Sequence, residues 1–262
     1  MSKVTIEDGK VIDVTEPKVK YCPLFKKHRG IDELNCESVR KNAEFRIERF
    51  GMCNDNRDTR MKDFLSFGVS EMLSLALTEH LIDAAVIAAD GCGTVVLEDP
   101  EIVQGMGGRI SGIIETEPIQ KVVDDIGAER LLDPKTAKID QFEGVAKAYH
   151  MHYHTIAVTV ANAKDAQEIR DCFGMTTVII AVHTTGISEK DAEILFDTCD
   201  IITSCASKHI REIAKGRALL QAGTKVPVYA ASEVGAKIIK AKLDQLGREP
   251  DTGLDESPEP ML

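Results

Sequence analysis

The sequence predicts an α/β protein whose carboxyl-terminal half is a mainly parallel sheet covered by helices. From Pro118 onward, short apolar runs alternate with amphipathic stretches, which is typical of βαβ units. The apolar run that begins at Ala84 is too short for a helix and ends in Asp90-Gly91-Cys92-Gly93, so it predicts a buried strand. Near the amino terminus, two alternating segments flank Asp8-Gly9, which indicates a β-hairpin.

The same patterns divide the chain into three predicted parts. Residues 1–117 form an α/β part with the hairpin, helices over 31–50 and 64–82, and the cysteine motifs. Residues 118–246 form the βαβ part, and residues 247–262 are rich in Pro, Glu and Asp, which predicts a disordered acidic tail. Within the βαβ part, strands are predicted over 155–161, 176–182, 201–204 and 226–230, and helices over 118–126, 139–149, 165–172, 189–196, 209–220 and 233–246.

Composition excludes several classes of function. The 262 residues include 32 Lys plus Arg and 43 Asp plus Glu, giving a formal net charge of −11, which argues against binding of nucleic-acid backbones. There is neither an apolar run long enough to span a bilayer nor a signal peptide, so we expect a cytoplasmic protein without membrane association. Seven cysteines, an odd number, favour free thiols, metal ligands or catalysis over a disulfide framework.

Four cysteines lie at turns marked by Gly, Pro or Ser: Cys22, Cys53, Cys92 and Cys205. Cys92 and Cys205 each follow a predicted strand, and ligands of open α/β sheets bind at the carboxyl ends of strands. Thiolates are suitable ligands for zinc or an iron–sulfur cluster, but no C-x-x-C pair is present. The sequence therefore leaves two alternatives open, a metal held by these four cysteines or a single activated thiol.

Cys205 is the best candidate for an activated thiol. It precedes Ser207, a predicted helix cap, and cations follow at Lys208 and Arg211, an arrangement that stabilises a thiolate. His183 ends another predicted strand, so it would reach the same edge of a parallel sheet and could act as the general base. The competing interpretation is a hydroxyl-rich loop, His183-Thr184-Thr185-Gly186, that satisfies its own backbone.

The glycine-rich segment over 104–112, QGMGGRISG, does not match the dinucleotide fingerprint G-x-G-x-x-G, because position 110 is isoleucine. It favours a tight backbone turn. Gly107, Gly108 and Arg109 remain candidate cofactor-binding residues, since an arginine can bind an anion through two parallel hydrogen bonds.

Several motifs together resemble a known family. They are Tyr21–Gly30 (YCPLFKKHRG), Phe50–Cys53 (FGMC), Asp63–Glu71 (DFLSFGVSE), Asp90–Val95 (DGCGTV), Val103–Gly112 (VQGMGGRISG), Ala181–Gly186 (AVHTTG) and Cys205–Glu212 (CASKHIRE). The chain, except for the acidic tail, resembles the methanogenesis marker protein 8 family, a domain of unknown function in methane-producing archaea. The resemblance implies a cytoplasmic protein connected with methanogenesis, and we expect a role in maturation or activation of methyl-coenzyme M reductase or its nickel cofactor.

Three functions follow as alternatives. The first is an accessory protein that binds zinc or an iron–sulfur cluster and assists a methanogenesis enzyme, which an oxygen-free cytoplasm favours because thiolates are spared from oxidation. The second is an enzyme that acts on a small anionic substrate, with Cys205 as nucleophile and His183 or Arg109 assisting. The third is a non-catalytic assembly subunit in which the cysteine turns are structural.

Overall fold

A computed structural model describes residues 2–62, 67–107 and 112–262. The chain begins with an antiparallel hairpin of strands β1 (Val4–Glu7) and β2 (Lys10–Val14). Its turn contains Asp8 and Gly9, both in the left-handed backbone region that this kind of turn needs. The hairpin predicted from Asp8-Gly9 is therefore confirmed.

A larger sheet forms the centre of the molecule. Within the described residues its strands run in the order β4-β3-β5-β6-β7-β9-β8. The central strands β3, β5, β6 and β7 are parallel, and β4, β9 and β8 pair antiparallel at the two sides. The strands are β3 (Ala84–Ala89), β4 (Gly93–Leu97), β5 (Ile156–Val160), β6 (Thr177–Ala181), β7 (Ile201–Thr203), β8 (Leu220–Ala222) and β9 (Val228–Ala230).

Helices cover both faces of this sheet, which explains why its central strands are almost wholly apolar. Apolar residues of α3, α4, α5 and α10 pack on one face, and those of α6, α7, α8 and α9 pack on the other. The helices are α1 (Pro23–Arg29), α2 (Cys36–Phe50), α3 (Val69–Thr78), α4 (Pro100–Gly107), α5 (Gln120–Ile126), α6 (Gln141–His150), α7 (Ala163–Phe173), α8 (Glu189–Thr198), α9 (Lys208–Arg217) and α10 (Glu233–Gln245).

The predicted α/β class is confirmed, and the sheet extends further towards the amino terminus than the βαβ pattern indicated. Strands β3 and β4 come from the amino-terminal half and join the strands that follow residue 118 in one sheet. The strand predicted at Ala84 is thus β3, and it lies beside β5.

The tight turn predicted for the segment 104–112 is wrong for residues 104–107, because these residues form the end of α4. Asp99 Oδ1 accepts hydrogen bonds from the backbone N–H groups of Glu101 and Ile102, which starts the helix. Val103 and Met106 then bury their side chains completely, and this packing outweighs the low helix propensity of Gly105 and Gly107. The other candidate cofactor-binding residues, Gly108 and Arg109, lie outside the described residues.

The disordered tail predicted for residues 247–262 is also wrong. The backbone N–H groups of Lys20 and Tyr21 both donate to the carbonyl oxygen of Glu259. Acidic residues of the tail find donors nearby: Asp251 at the N–H of Gly223, Asp255 at Thr224, and Glu256 at Lys225 and Tyr21. At the tail's end, Met261 and Leu262 pack against a small apolar cluster that contains Val19, Leu34 and Ala206. Composition alone did not show these partners.

No helix in the described part of the chain combines the length and the apolar character that crossing a membrane requires.

Candidate functional site

The carboxyl ends of the parallel strands form one edge of the sheet, and the cysteine and histidine turns lie there. Strand β3 is followed by Asp90–Gly93, β6 by Val182 and His183, and β7 by Ser204 and Cys205. The amino-terminal segment before α3 lies against this edge, since Cys53 and Arg57 contact Asp90. The edge therefore has two ends, one at Asp90 after β3 and one at Cys205 after β7.

At the first end, a buried ion pair joins the amino-terminal segment to the sheet. Arg57 and Asp90 are both fully buried, and Nε of Arg57 donates to both carboxylate oxygens of Asp90 at 3.0 Å. The remaining guanidinium nitrogens donate to the backbone carbonyls of Asp58, Gly105 and Met106. Because each group is paired and hydrogen-bonded, the charges can be buried, and removing one partner would leave the other uncompensated.

Two of the predicted site cysteines surround this ion pair. The backbone N–H of Cys53 donates to Oδ2 of Asp90 at 2.7 Å, and Cys92 is fully buried two residues after Asp90. Burial, with a further contribution from the negative charge of Asp90, raises the pKa of Cys53 to about 12. The same two causes, burial first, raise the pKa of Cys92. Both thiols therefore stay protonated near neutral pH and are poor nucleophiles.

At the second end, hydrogen bonds tie the His183 turn to the Cys205 turn. The hydroxyl of Thr184 donates to the carbonyl of Thr203 at 2.6 Å, and the N–H of Ala206 donates to the hydroxyl of Thr185 at 3.2 Å. The Thr203 hydroxyl lies 3.6 Å from Sγ of Cys205. The prediction that these two turns emerge together at one edge of a parallel sheet is confirmed, whereas their catalytic role stays a prediction.

Both turns have unusual backbone conformations. His183 has φ 58° and Cys205 has φ 42°, in the left-handed region that residues with a Cβ seldom adopt. Such strain is concentrated at functional sites, where the surrounding structure holds it in place. A Cβ added at Gly112 would lie 3.3 Å from the His183 ring. His183 keeps an exposed surface, but the protein atoms around its imidazole lower the pKa of that group by desolvation. A neutral imidazole, able to accept a proton, therefore persists to lower pH than usual.

Cys22 and Arg211 complete this second end. Cys22 precedes α1 and packs against the apolar cluster that contains Ala206. Arg211 is 5% exposed, and its guanidinium donates to the carbonyls of Cys205 and Lys225 and to the hydroxyl of Ser257. Desolvation lowers the pKa of Arg211, while Tyr229, Cys205 and Cys22 lie close enough to act on it in the opposite direction. A cysteine of the amino-terminal segment thus lies at each end of the edge.

The four cysteines are therefore divided into two pairs by place, with Cys53 and Cys92 near Asp90 and Cys22 and Cys205 near Arg211. Strands β5 and β6 separate β3 from β7, which places the two ends about 14 Å apart at the usual strand spacing. Sulfur ligands of one metal ion must lie much closer than this. Among the residues that the structure describes, no three His, Cys, Asp or Glu side chains are grouped so that they could hold a metal ion. A single metal centre held by all four cysteines does not fit this placement.

The remaining cysteines have other surroundings. Burial raises the pKa of Cys199 to about 12, so this residue acts as a small apolar side chain. Cys172 is exposed on α7. Its apolar neighbour Ile169 faces the sheet instead.

Sequence reasoning gave no role to Arg57 and treated Arg211 only as a nearby cation. No local pattern links Arg57 to Asp90, because 33 positions separate them. The burial of Arg211 could have been predicted from the sequence, since this residue lies in the same buried stripe of α9 as Ile210 and Ala214. An arginine in an apolar stripe indicates a buried guanidinium whose partners must come from elsewhere.

The fold and the site define a class: a three-layer α/β protein with a half-buried thiol in a strained turn at the carboxyl edge of its sheet. The chain belongs to the archaeal family described as "Uncharacterized protein conserved in archaea (DUF2099)", whose model matches residues 1–244. It is 44% identical over 252 residues to "Uncharacterized protein MJ0054" of Methanocaldococcus jannaschii, covering 94% of this chain and 89% of that protein. No solved structure matches the chain significantly.

Replacing Asp90 with Asn should strongly destabilise the protein. The change leaves the buried Arg57 guanidinium without a counter-charge, which costs about 3–5 kcal/mol. The matched control is Asp197→Asn, which breaks an exposed pair with Arg217 and should cost less than about 1 kcal/mol. Chemical denaturation measures both. Equal losses in the two variants would show that the buried pair has no special role.

The paired placement of the cysteines also predicts how bound metal would respond to substitution. Suppose that anaerobically purified protein contains iron or zinc and that Cys22→Ser loses it. Cys205→Ser should then lose the metal as well, whereas Cys53→Ser and Cys92→Ser should retain it. Elemental analysis of the five proteins measures this. Loss of the same metal in all four variants would contradict the two-pair placement, and a metal-free parent protein would count against metal binding.

Proposed function

We propose that this protein performs thiol chemistry on a small anionic substrate at the Cys205 turn. Cys205 is the nucleophile, and His183 accepts its proton. The observation that carries the proposal is the pair of hydrogen-bonded turns, in which Thr184 binds the carbonyl of Thr203 at 2.6 Å. This contact joins the two strained turns that carry the imidazole and the thiol, at the sheet edge where α/β proteins bind ligands.

Positive charge lies beside the Cys205 turn. Helix α9 begins directly after the cysteine turn, with Ser207 as its cap, so the positive end of the helix dipole lies beside Cys205. Arg211, on the same helix, adds a cation bonded to the Cys205 carbonyl. Cys205 is also half-buried, so a substrate can reach it, whereas Cys92 is fully enclosed.

In the proposed reaction, the proton leaves Sγ of Cys205 for the imidazole of His183, and the thiolate attacks an electrophilic atom of the substrate. The bond from that atom to its leaving group breaks, and the leaving group departs with the electron pair and takes the proton from the imidazolium. Cationic groups at the α9 terminus attract the negative charge of the substrate. The lowered pKa of His183 keeps its imidazole neutral, as a proton acceptor requires.

Iodoacetamide should therefore label Cys205 selectively in the native protein near neutral pH. Cys53 and Cys92, whose thiols have raised pKa values, should react only after denaturation. His183→Gln should slow the labelling of Cys205 about tenfold or more, at the lower end of what a positioned base contributes. Mass spectrometry of timed samples measures each rate, and Cys172, exposed on α7, is the internal reference. Labelling of Cys205 no faster than that of Cys172 would contradict the proposal.

We also propose that this chemistry serves a methanogenesis enzyme, through maturation or activation of methyl-coenzyme M reductase. The resemblance to the methanogenesis marker protein 8 family supports this, and so does the relative from Methanocaldococcus jannaschii, a methane-producing archaeon. In the alternative, the protein is an assembly subunit that binds the same enzyme, and its thiol takes no part.

A pull-down from anaerobic extract of the native organism separates these roles. We expect the parent protein to retain subunits of methyl-coenzyme M reductase or of its activation machinery, and Cys205→Ser to change the amount retained at least severalfold. The matched control is Cys172→Ser, which alters an exposed thiol away from the site. Equal retention by parent and Cys205→Ser would favour the assembly subunit, and no retention of these subunits would contradict the accessory role.

A further inference from the structure

A cavity of about 660 Å³ lies between α9, the paired strands β8 and β9, and the tail. Its volume is within the range of about 300–1,000 Å³ that is usual for small-molecule sites. Ala214 lines it from α9, Ala218 from the residue that ends this helix, Leu220 and Tyr229 from the strands, and Pro250 and Leu254 from the tail. The wall is therefore largely apolar, as in sites that hold an organic ligand by burying its body.

Arg211 contributes the buried charge of this cavity. It lines the cavity, is 5% exposed, and its Nε has no hydrogen-bond partner. Its other nitrogens bind only neutral oxygens, those of Cys205, Lys225 and Ser257, and no described carboxylate forms an ion pair with it. A buried guanidinium without a counter-charge is costly, and an anion placed beside it would offset that cost.

The other charged residues of the cavity are not buried cations without a counter-charge. Asp251 is bound by Arg248 at 3.1 Å and by the N–H of Gly223 at 2.6 Å. Lys215 is exposed on α9 and can remain solvated. The smaller cavity beside β4, of about 160 Å³, is different: Arg60 and Arg130 there are paired with Asp99 and Glu98. Arg211 thus combines an unpartnered buried nitrogen with an apolar cavity.

We propose that this cavity binds a small amphipathic anion, a carboxylate or phosphate carried on an apolar body. The anionic group pairs with Arg211, and the apolar body lies against Ala214, Leu220 and Tyr229. The proposal goes beyond the proposed function, since neither Cys205 nor His183 lines the cavity and Arg211 touches only the backbone carbonyl of Cys205. Binding itself requires no thiol.

Isothermal titration with four six-carbon probes tests the proposal: hexanoate, hexyl phosphate, hexanol and hexylamine. Hexanoate or hexyl phosphate should bind about tenfold or more tightly than hexanol, since a hydrogen-bonded charge contributes roughly 1.5–3 kcal/mol. Hexylamine should not bind. The comparison of the two anions distinguishes a carboxylate site from a phosphate site. Equal binding of hexanol and both anions, or no binding of either anion, would overturn the proposal.

Three variants locate the site. Arg211→Gln should weaken binding of the preferred anion about tenfold or more, and Ala218→Phe should abolish it by filling the cavity while Arg211 is intact. Arg217→Gln, on the exposed side of the same helix, should bind like the parent protein. If Arg217→Gln weakens binding as much as Arg211→Gln, or if Ala218→Phe binds normally, the anion is held elsewhere and the proposal is wrong.

Cys205→Ser separates this proposal from the thiol chemistry. The variant should bind the preferred anion with unchanged affinity. If the parent protein binds the anion but Cys205 is not selectively alkylated, the cavity stands and the proposed function fails. If Cys205 is selectively alkylated and neither anion binds, the proposed function stands and the proposed anion site is wrong.

Discussion

The buried ion pair between Arg57 and Asp90 is the constraint on which the arrangement of the site depends. It joins a loop of the amino-terminal segment to the turn after β3 through hydrogen bonds between two charged, fully buried side chains. Because an unpaired charge there is so unfavourable, the segment has one well-defined position on the sheet. The same contact fixes Cys53 through its backbone, and Cys92 beside it is fully enclosed, while burial raises the pKa of both thiols.

The opposite end of the edge has different physical properties. Its thiol-bearing turn is strained and half-buried, as that of Cys53 is, but its arginine is buried with neutral partners only among the described residues, whereas Arg57 is paired with Asp90. Backbone strain and a buried charge without a counter-charge each lower the stability of a protein, so they are uncommon in protein cores. Their coincidence at the carboxyl edge of a parallel sheet, where ligands of α/β proteins bind, supports the proposed thiol site.

Much of the sheet could be predicted from the sequence because its signal is local. The apolar runs at β3, β5, β6 and β7 are bounded by turn residues and are buried on both faces, so their pattern is unambiguous. The juxtaposition of His183 and Cys205 followed from the same reasoning, since neighbouring parallel strands end at one edge. The short strand β8 was missed because Leu220–Ala222 continues the apolar stripe of α9 in sequence.

Contacts between distant segments could not be predicted in this way. The pairing of Arg57 with Asp90 and the docking of the tail depend on which segments the fold brings together. The glycines of α4 misled the prediction because packing of Val103 and Met106 decides that segment. In the same way, four cysteines at similar turns suggested one centre, and only the strand order shows that they are divided between two ends of an edge.

The most direct test of this account is cross-linking of the native, reduced protein with dibromobimane, which joins two thiols only when they are close. Peptide mapping by mass spectrometry identifies the joined residues. The account predicts a link between Cys22 and Cys205 and none between Cys92 and Cys205. A link between Cys92 and Cys205 would contradict it, because the two ends of the edge would then form a single cysteine centre.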